Sequence, residues 1–596
     1  MALFVALCTE RQVDLRDTPS DDAPSSSDAD YDYTAAGGDP SDTSFRSRRE
    51  FLKVSAAAAS SSLLGACIGQ DPSRTRVFRG GAPFSTFDHI VVVMFENRSL
   101  DSLLGYLYTP GTIPRNQTFN GLAGAEHRCP VPPYINDGHA YVSARISPGT
   151  DADMMNPNPD PGEEYQHVNT QLYSIVDPPD NAFRTAGLMV APWNNPAPGQ
   201  TPTMDGFVRD YCNKFVATKK RHPTFDEYRV IMDSFSPEQL PVLSTLAQQF
   251  AVYDAWHCSV PTQTLPNRVF FHASTSSGYT VNLPYTKWLT RNAQPTIFNR
   301  LYDAGRTWRV YYDETQIVPM TALIHAQMLF PYWLTHFATM KTFYSDVANG
   351  TLPDYAFVEP RMIFNNSDYH PPAPSIIHHG TTHGGISDVR AGDFLAHQIY
   401  TAVRTSNAAT GSNALNTLLL LTFDEHGGCF DHAVPPSALP PDDNKPEGEK
   451  GFFFDRMGLR VPTIAISAYT ETNTVVNRTV HHGALLRTLC MKYNLPHLTE
   501  RDRTAPDLAD AINLRTPRHP STWPVTVPRP VPPEVSETDP LAAGLAPRPL
   551  NDLERSHVGL SMAQFKGVEP AQEEIPQTQA EAYVLLKQLA EGKFRK

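Results

Sequence analysis

Two apolar runs in this chain end in oxygen ligands. Ile90-Val91-Val92-Val93-Met94-Phe95 leads directly into Glu96-Asn97, and Thr417-Leu418-Leu419-Leu420-Leu421-Thr422-Phe423 leads into Asp424-Glu425-His426-Gly427-Gly428. Carboxylates at the end of a buried segment are costly unless a cation or a basic partner answers them. The same arrangement used twice points to one shared site. Three carboxylates and an amide suit one hard or borderline divalent ion, Ca²⁺, Mg²⁺ or Mn²⁺, better than they suit a thiolate zinc centre, although the residues do not separate these ions from an oxygen-bound Zn²⁺. Glu96, Asn97, Asp424 and Glu425 are therefore the candidate metal ligands, expected to converge with oxygens within about 5 Å of one another.

A third segment, Ser259-Val260-Pro261-Thr262-Gln263-Thr264-Leu265-Pro266-Asn267-Arg268, places Thr264 just before Pro266, in what reads as the first turn of a helix running through His272. A hydroxyl there is commonly a cap. A helix N-terminus also offers free N–H groups to a phosphate, and beside a carboxylate-bound metal the same hydroxyl becomes a nucleophile. Histidines crowd the loops after the strands: His370, His378, His379, His383, His426, His432, His481 and His482. Some of these suit phosphate binding or protonation of a leaving group.

The elements that must position these residues follow from the apolar pattern. Tyr355–Val358 and Val461–Ser467 join the two runs above as short, continuously apolar segments, which read as strands buried on both faces of a parallel or mixed sheet. Helices are expected at Pro237–Phe250, Ile297–Ala304, Asp388–Arg404 and Gly483–Tyr493, giving an α/β alternation. No fixed-period repeat is present, so a solenoid or propeller is not expected. Residues 516–550 are Pro-rich and read as an extended wrap or linker, and 569–595 as a terminal helix. The expected organisation is a leader over 1–67, a catalytic domain over 68–515 and a tail over 516–596.

The chain has 596 residues, is 40% hydrophobic and carries a net charge of −14, with 54 Pro. The apolar share excludes a wholly disordered chain. The acidic balance excludes a phosphate-driven nucleic-acid binder. Seven cysteines without a CxxC pair argue against a zinc site or a dense disulfide framework. Near the N-terminus, Ser47-Arg48-Arg49-Glu50-Phe51-Leu52-Lys53 fits a twin-arginine export signal. The uncharged run Val54–Ala66 fits its apolar core and is too short to span a bilayer, and Leu64-Gly65-Ala66-Cys67 fits a lipobox. Export by the twin-arginine machinery is expected, to a periplasmic, surface-lipoprotein or secreted location.

His89 through Asp101 resembles the opening motif of the bacterial phospholipase C / acid phosphatase phosphoesterase family, to which the plant non-specific phospholipases C are related. Met204-Asp205-Gly206-Phe207, Thr264-Leu265-Pro266-Asn267-Arg268, Asp368-Tyr369-His370-Pro371-Pro372, Asp388-Val389 with Gly392, and Asp424 through His432 follow in that family's order. The resemblance implies an alkaline-phosphatase-like α/β/α sandwich with a central, mostly parallel sheet and long loops. It implies hydrolysis of a phospholipid or small phosphoester through a phosphothreonine on Thr264, with His370 and His426 contacting phosphate or protonating the leaving group. By the same carry-over Asn267, His167, His432 and His482 would bind substrate. Three departures stand out: His481-His482-Gly483-Ala484 lacks the acid and hydroxyls of the family's late Asp-His-Thr-Ser stretch, only His167 follows Asp160-Pro161, and no C-terminal β-domains are present. Peripheral membrane contact is compatible with this reading. An acid phosphatase on the same site and a surface lipoprotein that binds without catalysis are the competing readings.

Overall fold

Alternate side chains of a strand point to opposite faces of its sheet, so a strand buried at every position needs cover on both sides. That is the state of β1 (His89–Phe95), buried from Ile90 onward, and of a second strand, Thr417–Phe423, buried throughout. In the computed structural model these belong to an eight-stranded sheet. Its members in chain order are β1, β2 (Ala251–Tyr253), β3 (Trp308–Tyr312), β4 (Phe337–Thr339), β5 (Tyr355–Glu359), β6 (Thr417–Phe423), β7 (Thr463–Ile466) and β8 (Thr474–Val476). Their spatial order is β8-β2-β7-β6-β1-β5-β3-β4. β7 runs antiparallel to both its neighbours, and the other pairings are parallel. The expected mixed α/β architecture with a mostly parallel central sheet is what the chain adopts.

The structure describes residues 83–363, 365–372, 376–378, 381–383, 387–441, 448–531 and 549–590. The described residues lie in one compact unit. The leader, the twin-arginine segment, the apolar run after it and Cys67 lie outside them, as does His379. For His378 and His383 only the backbone is described.

Helices α1 (Tyr165–Tyr173), α2 (Phe207–Lys219), α3 (Pro241–Gln249), α4 (Thr264–Ala273), α5 (Ile297–Asp303), α6 (Val389–Thr405) and α7 (Gly483–Tyr493) lie between and around the strands. Four of these are the expected helices, Gly483–Tyr493 with unchanged ends and the other three with ends moved by a few residues, because caps outside the periodic pattern decide where a helix starts. Pro241 occupies the first turn of α3, and Asp393 of α6 accepts hydrogen bonds from Val242 N and Leu243 N at 3.1 and 2.8 Å. One buried carboxylate thus satisfies two amides that the helix leaves free.

The C-terminal region holds two helices, α8 (Asp552–Lys566) and α9 (Gln579–Ala590). α9 falls inside the expected terminal helix. α8 falls mostly in a stretch for which the sequence reading named no element, and its start is set by a capping box in which Asn551 and Glu554 exchange side-chain and backbone hydrogen bonds. Both pack into an apolar cluster with Leu265 and Val269 of α4. The last helices therefore rest on the helix that carries Thr264. Of the Pro-rich stretch, residues 516–531 contain one short turn, Pro520–Thr522, followed by buried Trp523.

Candidate active site

The register of the two central strands assembles the site. β1 and β6 pair in parallel without offset, from His89 opposite Thr417 to Phe95 opposite Phe423. Glu96 and Asp424 therefore leave the sheet side by side, the turn held by Asp424 N donating to Phe95 O at 3.1 Å. Asn97 then turns left-handed (φ 53°) and donates its N–H to Asp424 Oδ1 at 3.1 Å. Gly427 follows at φ 61°, and a Cβ there would collide with the Asn97 carbonyl. Only glycine allows the two strand ends to close so tightly.

Thr264 joins this corner from α4. The N-cap of that helix is Gln263, with no side-chain capping bond, so Thr264 is its first helical residue rather than its cap. The Thr264 hydroxyl lies 3.3 Å from Glu96 Oε2 and 3.4 Å from Asn97 Oδ1. The ordinary structural role of such a hydroxyl is not taken up here. One turn on, Arg268 lies on the same helix face. Its Nε donates to Glu96 Oε1 at 2.7 Å and stands 3.7 Å from Asp424 Oδ2.

Glu96, Asn97, Thr264, Asp424 and Glu425 are all fully buried. Burial, only partly offset by Arg268, pushes the Glu96 carboxyl well above its ordinary range, and burial likewise raises Asp424 and Glu425. Asp424 Oδ2 and Glu425 Oε1 have no hydrogen-bond partner. Orphaned buried oxygens beside a single guanidinium are the residue chemistry that a divalent cation satisfies, so the donor set fits one. The carboxylates are not closed tightly about one point. Among the described residues, the groups whose ligand atoms all lie within 4.8 Å of one another are Asp101, Asp431 and His432, and Cys490, His497 and Asp502. Glu425 instead turns Oε2 to Gly427 N at 2.7 Å.

The histidines separate into roles. His370 belongs to the corner: its Nε2 lies 2.9 Å from Asn97 Nδ2 and 4.0 Å from Glu163 Oε2. His426 Nδ1 stands 3.1 Å from Glu425 Oε2, while its Nε2 meets Gln171 Oε1 at 2.9 Å. Burial pushes both down to about 3, so both rings are neutral near pH 7. His167 is one step further out. Its Nδ1 meets Asp210 Oδ1 at 2.8 Å, and Gln171 links Asp210 back to His426. Burial works against a charge on His167, but Asp210 outweighs it and raises its pKa.

Three of the expected substrate-binding residues are held by protein partners in the structure. Asn267 spends its amide on its own loop, accepting from Val260 N at 3.0 Å and donating to Val260 O, Thr262 O and Gln263 O. It shapes the approach to Thr264 and has no atom left for a ligand. His482 accepts from Trp256 Nε1 at 3.1 Å and meets Asp424 O at 2.7 Å, so both ring nitrogens hold the strand end in place. His432 belongs to a separate knot, with Nδ1 at 2.6 Å from Asp101 Oδ2 and Nε2 at 3.0 Å from Asn120 Oδ1, braced by Arg460 on Asp101 and Asp431.

Two residues escaped the sequence reading. Arg268 stands in the quoted motif, and its spacing of four from Thr264 is the signal that places both on one helix face. Glu163 is buried and bonded to Asn97 Nδ2 and, at 3.4 Å, to Gln263 Nε2. Burial, reinforced by Glu425 and other nearby acids, raises its pKa well above the ordinary carboxyl value. It follows Asp160-Pro161, where only His167 attracted attention. Replacing Arg268 by Met should cost about 3–5 kcal/mol, because it strands buried carboxylates. Denaturant unfolding measures this, and an unchanged midpoint would mean that the carboxylates are satisfied without the guanidinium.

A cleft of about 320 Å³ is lined by Gln263 and Glu164, the sequence neighbours of Thr264 and Glu163, and by none of the buried corner residues themselves.

The model of the phosphoesterase family matches residues 87–496. Non-specific phospholipase C3 of Arabidopsis thaliana is 32% identical over 465 residues, covering 75% of this chain and 77% of its own. Phospholipase C B of Mycobacterium tuberculosis (strain ATCC 25618 / H37Rv) is 25% identical over 513 residues, covering 80% and 87%. Among solved structures, a protein in the alkaline phosphatase superfamily from Vibrio parahaemolyticus covers 45% of this chain and 64% of its own at 15% identity and a TM-score of 0.28. With a family match that spans both strand ends, Thr264 and His370, the chain belongs to the phosphoesterase family, hydrolases of phosphoric ester bonds.

Proposed function

We propose that this chain is an exported, metal-dependent phospholipase C that splits the phosphodiester of a phosphatidylcholine-like lipid through a phosphothreonine on Thr264. One observation carries the reading. The Thr264 hydroxyl sits at a helix N-terminus without capping it and instead faces Glu96 and Asn97 at 3.3 and 3.4 Å. Relatives named phospholipase C, in a plant and in a mycobacterium, support the substrate class.

Thr264 Oγ1 attacks phosphorus in line, and its proton leaves along the hydrogen bond to Glu96 Oε2. The Oγ–P bond forms as the bond from phosphorus to the diacylglycerol oxygen breaks. That oxygen takes a proton from Glu163, the acid beside His370 whose pKa burial raises above the ordinary carboxyl value. In the first turn of α4 Leu265 N is taken by Asn282 Oδ1 at 3.2 Å and Pro266 has no N–H, so the Thr264 N–H is the one placed to face the charge that grows on the phosphoryl oxygens. Water then attacks phosphorus and gives a proton back to Glu163, the P–Oγ bond breaks, and Thr264 takes back the proton held at Glu96. A divalent ion held by Glu96, Asn97, Asp424 and Glu425 would supply Lewis acidity to the hydroxyl and the phosphoryl group.

The test uses the chain expressed with its own leader in a bacterium that has twin-arginine export. The protein should be recovered outside the cytoplasm, and once purified it should hydrolyse p-nitrophenyl phosphorylcholine faster than p-nitrophenyl phosphate. Retention in the cytoplasm would sink the export reading. Hydrolysis of the monoester alone would replace phospholipase C by phosphatase.

A further inference from the structure

The surroundings of His426 dictate which of its ring nitrogens carries the proton, and Gln171 is the reason. Gln171 lies on α1 four residues after His167, so the two side chains stand on one face of that helix. It is 1% exposed, and both polar atoms of its side chain are engaged. Nε2 donates to Gly162 O at 2.6 Å and to Asp210 Oδ2 at 2.8 Å, while Oε1 lies 2.9 Å from His426 Nε2. A carbonyl and a carboxylate only accept, so the amide cannot turn over without setting its oxygen against two others. Asp210, on α2, is itself held: its second oxygen meets His167 Nδ1 at 2.8 Å.

The orientation of the amide passes to the ring. Gln171 Oε1 can only accept, so His426 Nε2 must carry a proton to meet it. In a neutral imidazole the other nitrogen is then bare. What lies around Nδ1 agrees. The ring is wholly buried, and Nδ1 has no hydrogen-bond partner. Glu425 Oε2 stands 3.1 Å away without bonding to it, and that oxygen already accepts from Gly427 N at 2.7 Å. A proton on Nδ1 would be a buried donor left without an acceptor. A lone pair there is instead an acceptor placed beside the carboxylates of the corner.

We propose that Gln171 is a positioning residue that holds the proton of His426 on Nε2, so that Nδ1 accepts a hydrogen bond from the water that clears the phospho-enzyme. The inference rests on the phosphothreonine reading for the task of that water; the placement of the proton does not depend on it. A bare Nδ1 has no proton to give, so His426 does not protonate the leaving alcohol. Its part comes in the second step. The water oxygen bonds to phosphorus as the P–Oγ bond breaks, one water hydrogen goes to Glu163, and the other stays on the oxygen, hydrogen-bonded to His426 Nδ1. No proton passes to the ring, which serves to align the attack.

The experiment has two arms, both on the full chain. With ¹⁵N-labelled histidine, two-bond proton–nitrogen spectra show which nitrogen of each ring is protonated, and His426→Gln identifies the signals of that ring. The parent shows His426 with Nε2 protonated and Nδ1 bare. A proton on Nδ1, alone or beside one on Nε2, overturns the proposal. In the second arm Gln171→Met lowers kcat on p-nitrophenyl phosphorylcholine about 10–100-fold, the usual cost of removing a residue that orients a site group. Because only the second step slows, kcat/KM stays within about twofold of the parent, and the share of Thr264 that carries phosphorylcholine in acid-quenched samples rises. A merely structural role for Gln171 lowers kcat and kcat/KM together; that result, or an unchanged kcat, overturns the proposal. Should Gln171→Met fail to fold, the parent spectrum decides. A parent that never carries a group on Thr264 yet keeps the His426 proton on Nε2 overturns the phosphothreonine reading and leaves Gln171 as the residue that sets the ring.

Discussion

Thr264→Ala lowers turnover by at least about three orders of magnitude, the scale expected when a nucleophile is removed. The fold barely notices. Gln263, not Thr264, is the N-cap of α4, so no capping bond is lost. What goes is a buried hydroxyl with two long hydrogen bonds, to Glu96 and Asn97, worth no more than about 1–2 kcal/mol. Thr264→Ser keeps the attacking oxygen and retains a measurable share of activity. Steady-state kinetics and thermal unfolding on both variants check the result, and an acid-quenched reaction analysed by mass spectrometry should carry the phosphorylcholine group on residue 264 of the parent and of Thr264→Ser, and not of Thr264→Ala. An alanine variant with near-parental turnover would move the nucleophile elsewhere.

Removing divalent cations is the second large effect. The corner brings Glu96, Asp424 and Glu425 into full burial with Arg268 contacting the first two, and burial raises all three carboxyls. Dialysis against a chelator should reduce hydrolysis by at least about 10³-fold, because no other group beside Thr264 supplies comparable Lewis acidity. It should also lower stability: an ion present at a hundredfold its Kd contributes about 2.7 kcal/mol to the folded state. Adding back Ca²⁺, Mg²⁺, Mn²⁺ or Zn²⁺ one at a time shows which restores both rate and melting temperature. Full activity in chelator would overturn the metal-dependent mechanism and leave Arg268 as the cation that stabilises charge.

Much of the corner was legible because it lies where strong local patterns end. The six apolar residues Ile90–Phe95 followed by Glu96-Asn97, and the seven-residue run Thr417–Phe423 followed by Asp424-Glu425, are visible without any knowledge of contacts. Helices with a strong apolar stripe were equally legible, and Gly483–Tyr493 is found with its boundaries unchanged. Reading individual histidines was less secure. A ring nitrogen serves as ligand, proton donor or brace according to what lies within 3 Å, and for His482 those neighbours are Trp256 and the Asp424 carbonyl, 226 and 58 positions away. Asn267 is the opposite case: its partners are the residues just before it, and a local brace looks in sequence like a polar handle for substrate.

By itself the sequence determined the fold class, the strand ends that carry the acids and the helix that carries Thr264, because each is written in a contiguous apolar pattern or turn signal. Tertiary structure alone decided how these ends meet. The zero-offset register of β1 on β6 sets Glu96 beside Asp424, and Gly427 lets Asn97 close over them. It also decided that Thr264 is free of capping, that Arg268 and Glu163 complete the corner, and that α8 supplies Arg555 to the cleft. The physical reason is one of range: helix and strand preferences act over a few residues, whereas the burial that shifts a carboxyl and the contact that engages a histidine come from side chains hundreds of positions apart.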